Sequence, residues 1–400
     1  MTAHEEPAAR PAPGGRRPAW RQAAEVAVVA GRLGLTSFGG PTAHPAYFRR
    51  EYVTSRGWIG EAEFAETMAL CQLLPGPSSS QLGVVIGYQR AGLSGALASW
   101  VGFTAPSALA MAALAAFGAS AGLADSNAVR ALMCLAVAIV ANAVIDMGRA
   151  FWTGPTAIGL GAGVFALTLA GLSTYAPVAG IALSAGIGAL VMRRQASGSL
   201  VGFTRTPSRR AGAAMLLAVP IIGAALWSLR DDSWGYLASA MFNAGSLVIG
   251  GGHVVLPLLE ASVGPLVDPE AFLAGYGMAQ AMPGPLFTFS TYLGHLVGGP
   301  AVALLATFAI FLPGLLLALG TLPFWAAVRH APAAGGAVAG ASAAVVGLLA
   351  ATLVHPLLTE TVIDWRTALL AAALFATARW ARPPIWMLLA GTLAASLLLG

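Results

Sequence analysis

The sequence predicts an all-α polytopic membrane protein made of two inverted homologous repeats with Pro-Gly-Pro-broken helices, and about 9–13 transmembrane segments. Three observations carry this: the composition, a series of long apolar stretches, and a duplicated Pro-Gly-Pro. Of 400 residues, 57% are hydrophobic and only 9% are charged. A soluble domain carries roughly 25% charged residues, so this chain cannot cover a globular surface with charge. Mean hydropathy is +0.76. A soluble enzyme, a disordered chain and a nucleic-acid binder are excluded. All 21 basic residues are Arg. They are scattered over loops and helix ends, so the net charge of +5 speaks to orientation in a bilayer rather than to nucleic acid.

Residues 1–22 are rich in Pro and Arg and lack an apolar core, which predicts a disordered cytoplasmic tail. Apolar stretches follow at about 23–40, 95–121, 127–152, 155–171, 175–192, 212–229, 234–251, 300–328, 333–356, 366–379 and 384–400. Two more, 61–90 and 269–297, are each interrupted by Pro-Gly-Pro. Trp20, Trp152, Trp227, Trp234, Trp325, Trp365, Trp380 and Trp386 fall at or near segment ends, as an interfacial belt requires. Cys71 and Cys134 lie in apolar stretches and read as buried thiols. The 193–211 connection carries Arg193, Arg194, Arg205, Arg209 and Arg210 and no acid, which places it in the cytoplasm with the tail. The turn holding Asp231 and Asp232 reads as external, and so does the C-terminus.

The chain repeats itself. Phe64, Gln72 and Pro75-Gly76-Pro77 match Phe272, Gln280 and Pro283-Gly284-Pro285 at an offset of 208. SFGGPTAH (37–44) matches VIGGGH (248–253), and Glu51 and Glu260 each follow a matched His by seven residues. The repeats are 23–192 and 233–400, joined by the Arg-rich loop and a linking helix within 193–232. The first repeat begins and ends in the cytoplasm, so it crosses an even number of times. One linking helix then starts the second repeat on the other side, which inverts it. If 23–40 and 61–90 span, thirteen crossings result but Arg49, Arg50 and Arg56 fall outside; if both are re-entrant, the charges fit and nine result. Both counts stay open at this point.

Pro-Gly-Pro cannot continue a helix. In a membrane the freed backbone groups must be buried in protein or line a wet cavity. Each motif therefore predicts two half-helices meeting inside the protein, at 61–74 and 77–90 and at 270–282 and 285–297. The half-helix opening Ser78-Ser79-Ser80 presents free N–H groups and hydroxyls, a neutral anion site. The alternative is a kink with capping serines. Gly39-Gly40 and Gly251-Gly252, with His44 and His253, form a second duplicated break that either faces substrate or packs closely. Arg32, whose counterpart is Asn243, lies in an apolar stretch and suits an oxyanion, or snorkels. Gln72 and Gln280 would support the site, and Glu51 and Glu260 would serve proton coupling or structural ion pairs. Asp146 and Arg149, three apart on one helix face, read as a self-satisfied pair. No metal, cofactor, Walker or catalytic motif is present, so no enzyme activity is expected.

The motifs SFGGPTAH, RGWIGEAEF, ALCQLLPGPSSSQL and GYQRAG, with GGGHVVLPLLE, FLAGYGMAQAMPGPLFTFSTYLG and IFLPGLL, resemble the chromate ion transporter family over the whole chain past the tail. The likeness is to its long-chain, two-domain members. It implies a bacterial inner-membrane protein of about thirteen segments that exports chromate and confers resistance. Sulfate is the natural competing oxyanion, and a transporter of another anion or an anion channel are the alternatives. The expected surroundings are a lipid bilayer, with homodimerisation left open.

Overall fold

The computed structural model describes residues 18–38, 40–120, 127–171, 176–192, 202–248, 255–381, 383 and 385–398. The first repeat holds α1 (Ala19–Thr36), α2 (Gly40–Phe48) with a π-helical turn over Arg49–Ser55, α3 (Glu61–Leu73), α4 (Ser78–Ser120), α5 (Asn127–Phe151), α6 (Pro155–Leu169) and α7 (Ala176–Val191). The linking helix is α8 (Arg209–Trp227). The second repeat holds α9 (Ser233–Leu247), α10 (Val255–Val263), α11 (Pro269–Ala281), α12 (Phe289–Thr321), α13 (Trp325–Arg329), α14 (Pro332–Thr352), α15 (Thr359–Thr361), α16 (Trp365–Ala376) and α17 (Ile385–Ala395). Five helical stretches are long and apolar enough to cross a membrane by themselves. Together with the shorter apolar helices they make a multi-pass membrane protein.

Side-chain oxygens start several helices where the sequence supplies them. Ser208 accepts from the Ala211 N–H, Asp232 from Gly235, and Asp268 from Glu270 and Ala271. Asp364 and Thr367 form a reciprocal capping box. The N–H bond from Thr367 holds the Asp364 carboxyl below the usual carboxylate range.

The α4 helix reverses at Gly92, whose φ is +68°, a conformation that favours glycine. Its arms, 78–90 and 93–120, fold against each other so closely that a Cβ on Gly87 would lie 2.4 Å from the Gly95 carbonyl oxygen. The α12 helix does the same at Gly299, with φ +77°. There a hydroxyl–hydroxyl bond of 2.7 Å ties Thr291 on one arm to Thr307 on the other.

Ion pairs show where each segment returns. Glu25, early in α1, pairs with Arg56 after the π-turn at 3.7 Å and with Arg90 at the tip of α4 at 3.1 Å. Glu61, opening α3, pairs with Arg49 at 2.8 Å. The linker lies on this same face, where Thr204 Oγ1 and the Arg205 N–H both donate to Gln89 Oε1 at 2.7 Å. Residues 19–55 and 61–90 are therefore two hairpins that leave and regain one face, here called the linker face. In the second repeat, Tyr236 Oη donates to the Ser262 carbonyl at 2.9 Å, and a Cβ on Gly298 would lie 3.3 Å from Trp234 Nε1. Its two hairpins thus share the opposite face.

This geometry selects the lower end of the crossing range. Among the described residues, the longer helices outside the hairpins number four in the first repeat (the long arm of α4, α5, α6, α7), α8, and four in the second (the long arm of α12, α14, α16, α17), nine candidate passages of which five stretches are membrane-length by themselves. The thirteen implied by resemblance counted the hairpins as spans. The inverted order of the repeats stands, and small residues let them meet. A Cβ on Gly188 of α7 would lie 2.3 Å from the Gly336 carbonyl oxygen of α14.

Two further expectations are corrected. Asp146 pairs with Arg379 at 2.6 Å, not with Arg149. The reason is tertiary: α5 and α16 run side by side and parallel, since Cys134 also meets Thr367 at the same separation of 233 residues. Trp325 is packed inside the protein rather than facing outward, being only 4% exposed, whereas Trp20, Trp227, Trp234, Trp365 and Trp380 are all more than half exposed. The side chain of Trp386, the tail over 1–17 and the 193–201 part of the linker lie outside the described residues.

Candidate anion site at the crossed helix breaks

Both Pro-Gly-Pro motifs break their helices as expected, and the two breaks interlock. Gly76 N–H donates to the Val248 carbonyl at 2.7 Å, and Gly284 N–H donates to the Ser37 carbonyl at 3.1 Å. Ser37 and Val248 are equivalent residues, each the C-cap of its helix and two positions before a Gly-Gly in the sequence. Each break thus satisfies a backbone group of the other repeat. The glycines are required. Gly76 has φ +119° and Gly284 φ +98°, and a Cβ on Gly76 would lie 2.7 Å from Gly314 Cα. One turn before each Gly-rich break, a Cβ on Gly34 would lie 2.6 Å from the Phe103 carbonyl oxygen, and one on Gly245 would lie 2.0 Å from that of Ile310. Four chain ends therefore converge midway along the long arms of α4 and α12.

The first break is polar. Ser79, Ser80 and Gln81 are buried, and Ser78 is half-buried, at the start of a half-helix about 20 Å long. Pro75 is half-buried and Pro77 buried. Gln81 Nε2 donates to the Pro75 carbonyl at 2.7 Å and to the Gly314 carbonyl at 3.0 Å, so it fills an acceptor freed by the prolines and ties it to the other repeat. His44 is fully buried. Its Nε2 lies 3.1 Å from the Ser37 carbonyl, and its ring stands edge-on to Phe103 at 5.3 Å. The side-chain atoms Ser37 Oγ, His44 Nδ1, Ser80 Oγ, Gln81 Oε1 and Thr104 Oγ1 are buried without a hydrogen-bond partner. Orphaned buried polar atoms are rare and costly. Ser80 and Gln81 belong to the half-helix after the first break, while Ser37 and His44 lie against Gly284 of the second, so the orphans line the place where the two breaks cross.

The second break is built differently. Thr288 and Ser290 hydroxyls bond the Pro285 and Phe287 carbonyls at 2.9 and 2.8 Å, and Leu286, Phe287 and Phe289 fill the surroundings. Gln280 is buried and shares a hydrogen bond with Tyr276. Pro283 is half-buried, and Pro285 is buried.

Other expected site residues lie elsewhere. Arg32 is exposed on the α1 stripe that carries Val28 and Leu35, opposite the face on which Gly34 meets Phe103. Its counterpart Asn243 is half-buried, 3.5 Å from Ser239 Oγ. Gln72 is exposed. Glu51 pairs with Arg56 at 2.8 Å at the linker face, and Glu260 lines a crevice of about 240 Å³ with Glu360, Phe272 and Leu273. Gly40, with φ +66°, opens α2, while Gly39, Gly251, Gly252 and His253 lie outside the described residues. Gln81, Thr104 and Ser37 were not singled out by the sequence reading. Gln81 had a visible signal, as the first polar residue after the Ser run. Among the described residues no cluster of His, Cys, Asp and Glu could hold a metal ion.

Comparison with known proteins agrees with the duplicated architecture. The family model described as chromate transporter matches residues 24–189 and again 235–396. The chain is 28% identical to a chromate transport protein of Cupriavidus metallidurans, over 85% of this chain and 84% of that one. It is 29% identical to a chromate transport protein of Pseudomonas aeruginosa, over 81% and 78%. An uncharacterized transporter of Methanocaldococcus jannaschii is 27% identical over 75% of each chain. No solved structure matches. With its model covering both repeats of a helical membrane fold, the family is shown: this chain belongs to the chromate transporter family.

Proposed function

We propose that the protein carries chromate out of the cytoplasm across a bacterial inner membrane and so confers chromate resistance. The observation that carries this is the polar, orphan-rich crossing of the two breaks inside an inverted repeat, in a chain whose relatives are named chromate transport proteins. A tetrahedral oxyanion would meet the N-terminal N–H groups of the half-helix, the Ser78, Ser79 and Ser80 hydroxyls, and Ser37 and Thr104. His44 Nε2–H serves the Ser37 carbonyl, so its Nδ1 accepts when the ring is neutral and donates when it is protonated. With the linker on the cytoplasmic side, Arg205, Arg209 and Arg210 obey the positive-inside rule, and the acids Asp231, Asp232, Asp268 and Glu270 lie outside.

Direction follows from charge. Chromate near neutral pH is largely a dianion. An inside-negative potential drives each charge outward by about 2.3 kcal/mol per 100 mV, hence roughly 4.6 for two. Export needs no ATP. The test is radiochromate flux in everted vesicles, with and without sulfate and a proton gradient. Saturable chromate uptake into everted vesicles, driven by an inside-positive potential, is the expected result. Sulfate movement without chromate movement would overturn the substrate, and unsaturable flux would indicate a channel.

A further inference from the structure

A carboxylate absent from the sequence reading joins the two repeats. Glu66 of α3 is 5% exposed. Its Oε1 accepts from Trp325 Nε1 at 2.5 Å, and its Oε2 pairs with Arg329, both on the second repeat. The side chains of Glu66 and Arg329 are 6% and 12% exposed. The other ion pair between repeats among the described residues, Asp146–Arg379, leaves Asp146 65% exposed and is weak by comparison. A buried pair is different: separating it strands a charge away from water, so it holds until something compensates both groups.

Its position matters more than its strength. Glu66 lies about 7 Å along α3 from exposed Glu61 at the linker face, and about 15 Å before Gly76 at the first break. It therefore stands between the linker-side solvent and the orphaned polar atoms. Trp325 closes the same spot with a buried ring. The repeat counterpart of Glu66 is Ala274, buried and unable to make such a bond. On that opposite face the start of α11 borders the 240 Å³ crevice instead. The symmetry of the breaks is thus not matched by symmetry of their closures.

We propose that Glu66, Trp325 and Arg329 form the gate on the linker face. The clasp opens to admit an anion to the breaks from that side, and re-forms before release on the other. What passes the gate rests on the transporter reading above, but the gate itself can be tested without any flux.

The experiment uses the full chain with Cys71→Ala and Cys134→Ala, and Ser79→Cys as a reporter at the break. A membrane-impermeant maleimide is added to right-side-out and to inverted vesicles. With the clasp intact, labelling from the linker face is slow. Glu66→Ala and Arg329→Ala are expected to raise that rate at least tenfold, with no change from the opposite face. Trp325→Phe, which removes only the N–H, is expected to raise it a few-fold. The exchanged pair Glu66→Arg with Arg329→Glu is expected to return toward the parent rate. Should the alanine variants fail to reach the membrane, Glu66→Gln and Trp325→Phe carry the test. Unchanged labelling in the variants that insert, or an equal rise from both faces, would overturn the gate. Absent chromate flux in the unsubstituted chain, with side-specific labelling of the reporter chain, would instead overturn the substrate and leave the gate standing.

Discussion

The two Pro-Gly-Pro breaks share a backbone and differ in chemistry. Each places a glycine at positive φ and donates its N–H to the carbonyl of the helix C-cap that precedes the other repeat's Gly-rich break. On the first repeat, Ser80 and Gln81 after its own break and Ser37, His44 and Thr104 beside the crossing with Gly284 keep buried polar atoms unpartnered. Around the second, Thr288, Ser290, Thr291 and Thr307 spend their hydroxyls on local bonds, and phenylalanines fill the rest. The duplicated part is thus the scaffold that crosses the chain ends, and the unduplicated part is the polar lining. On the proposed reading, an anion would sit on the first repeat's polar side of the crossing, and the second repeat would hold that side in place.

The largest expected effect tests the shared scaffold. Gly76→Ala forces a side chain into positive φ, at roughly 1–3 kcal/mol for strain alone, with Gly314 Cα 2.7 Å away and unable to yield. Gly284→Ala meets first the Ser107 hydroxyl at 2.9 Å, which can rotate. Gly76→Ala should therefore lower the thermal unfolding midpoint in detergent more than Gly284→Ala, and abolish flux. Equal losses would mean that the breaks are packed alike.

The second prediction tests the difference in lining. Hydrogen bonds to a charged partner contribute about 1.5–3 kcal/mol. Ser80→Ala and His44→Ala should each reduce radiochromate flux by roughly 10- to 100-fold at unchanged membrane abundance. Ser290→Ala, at the second break, should stay within about twofold, because its hydroxyl only bonds the Phe287 carbonyl. Equal sensitivity of both breaks would place the anion between them.

Gln81 sharpens the comparison further, since its counterpart is Phe289. Gln81→Leu leaves the Pro75 carbonyl without its partner at 2.7 Å and the Gly314 carbonyl without its partner at 3.0 Å. A buried acceptor left unsatisfied costs about 1–3 kcal/mol. Thermal unfolding should register that loss, while Phe289→Leu shows only the smaller cost of a partly conserved apolar volume.

Much of this architecture is legible in the residues, because it rests on local chemistry. Pro-Gly-Pro ends a helix wherever it occurs, and a repeat with an odd linking helix must invert. What stays hidden depends on which distant groups meet. That 19–55 and 61–90 are hairpins is decided by Glu25 reaching Arg56 and Arg90. No spacing rule foretells those pairs, although the charge rule favoured the same answer. Asp146 found Arg379 rather than its helical neighbour because α16 brings a half-enclosed guanidinium alongside. Glu66 was silent for the same reason, lacking a repeat match. Its one clue was depth, as the acid of α3 farthest from the acidic first turn that holds Glu61 and Glu63.

The smallest expected effect concerns Arg32, the residue whose cost in a membrane made it the sharpest candidate from sequence. Cost alone does not say which way a side chain faces. On α1 the buried residues are Val26, Val29, Ala30, Leu33 and Gly34. Val28 and Leu35 are 74% and 61% exposed, and exposed Arg32 shares their side of the helix. Arg32 lies about 10 Å along α1 beyond Glu25 at the linker face, on the side that faces away from the packed core. Arg32→Ala should therefore change chromate affinity by less than about twofold, below the tenfold that about 1.4 kcal/mol of lost binding would produce. Saturable flux measured across chromate concentrations checks this. A tenfold rise in half-saturation, with Ser80→Ala unaffected, would move the anion from the first break to the outer face of α1. It would also make the orphaned serines and His44 a purely structural feature.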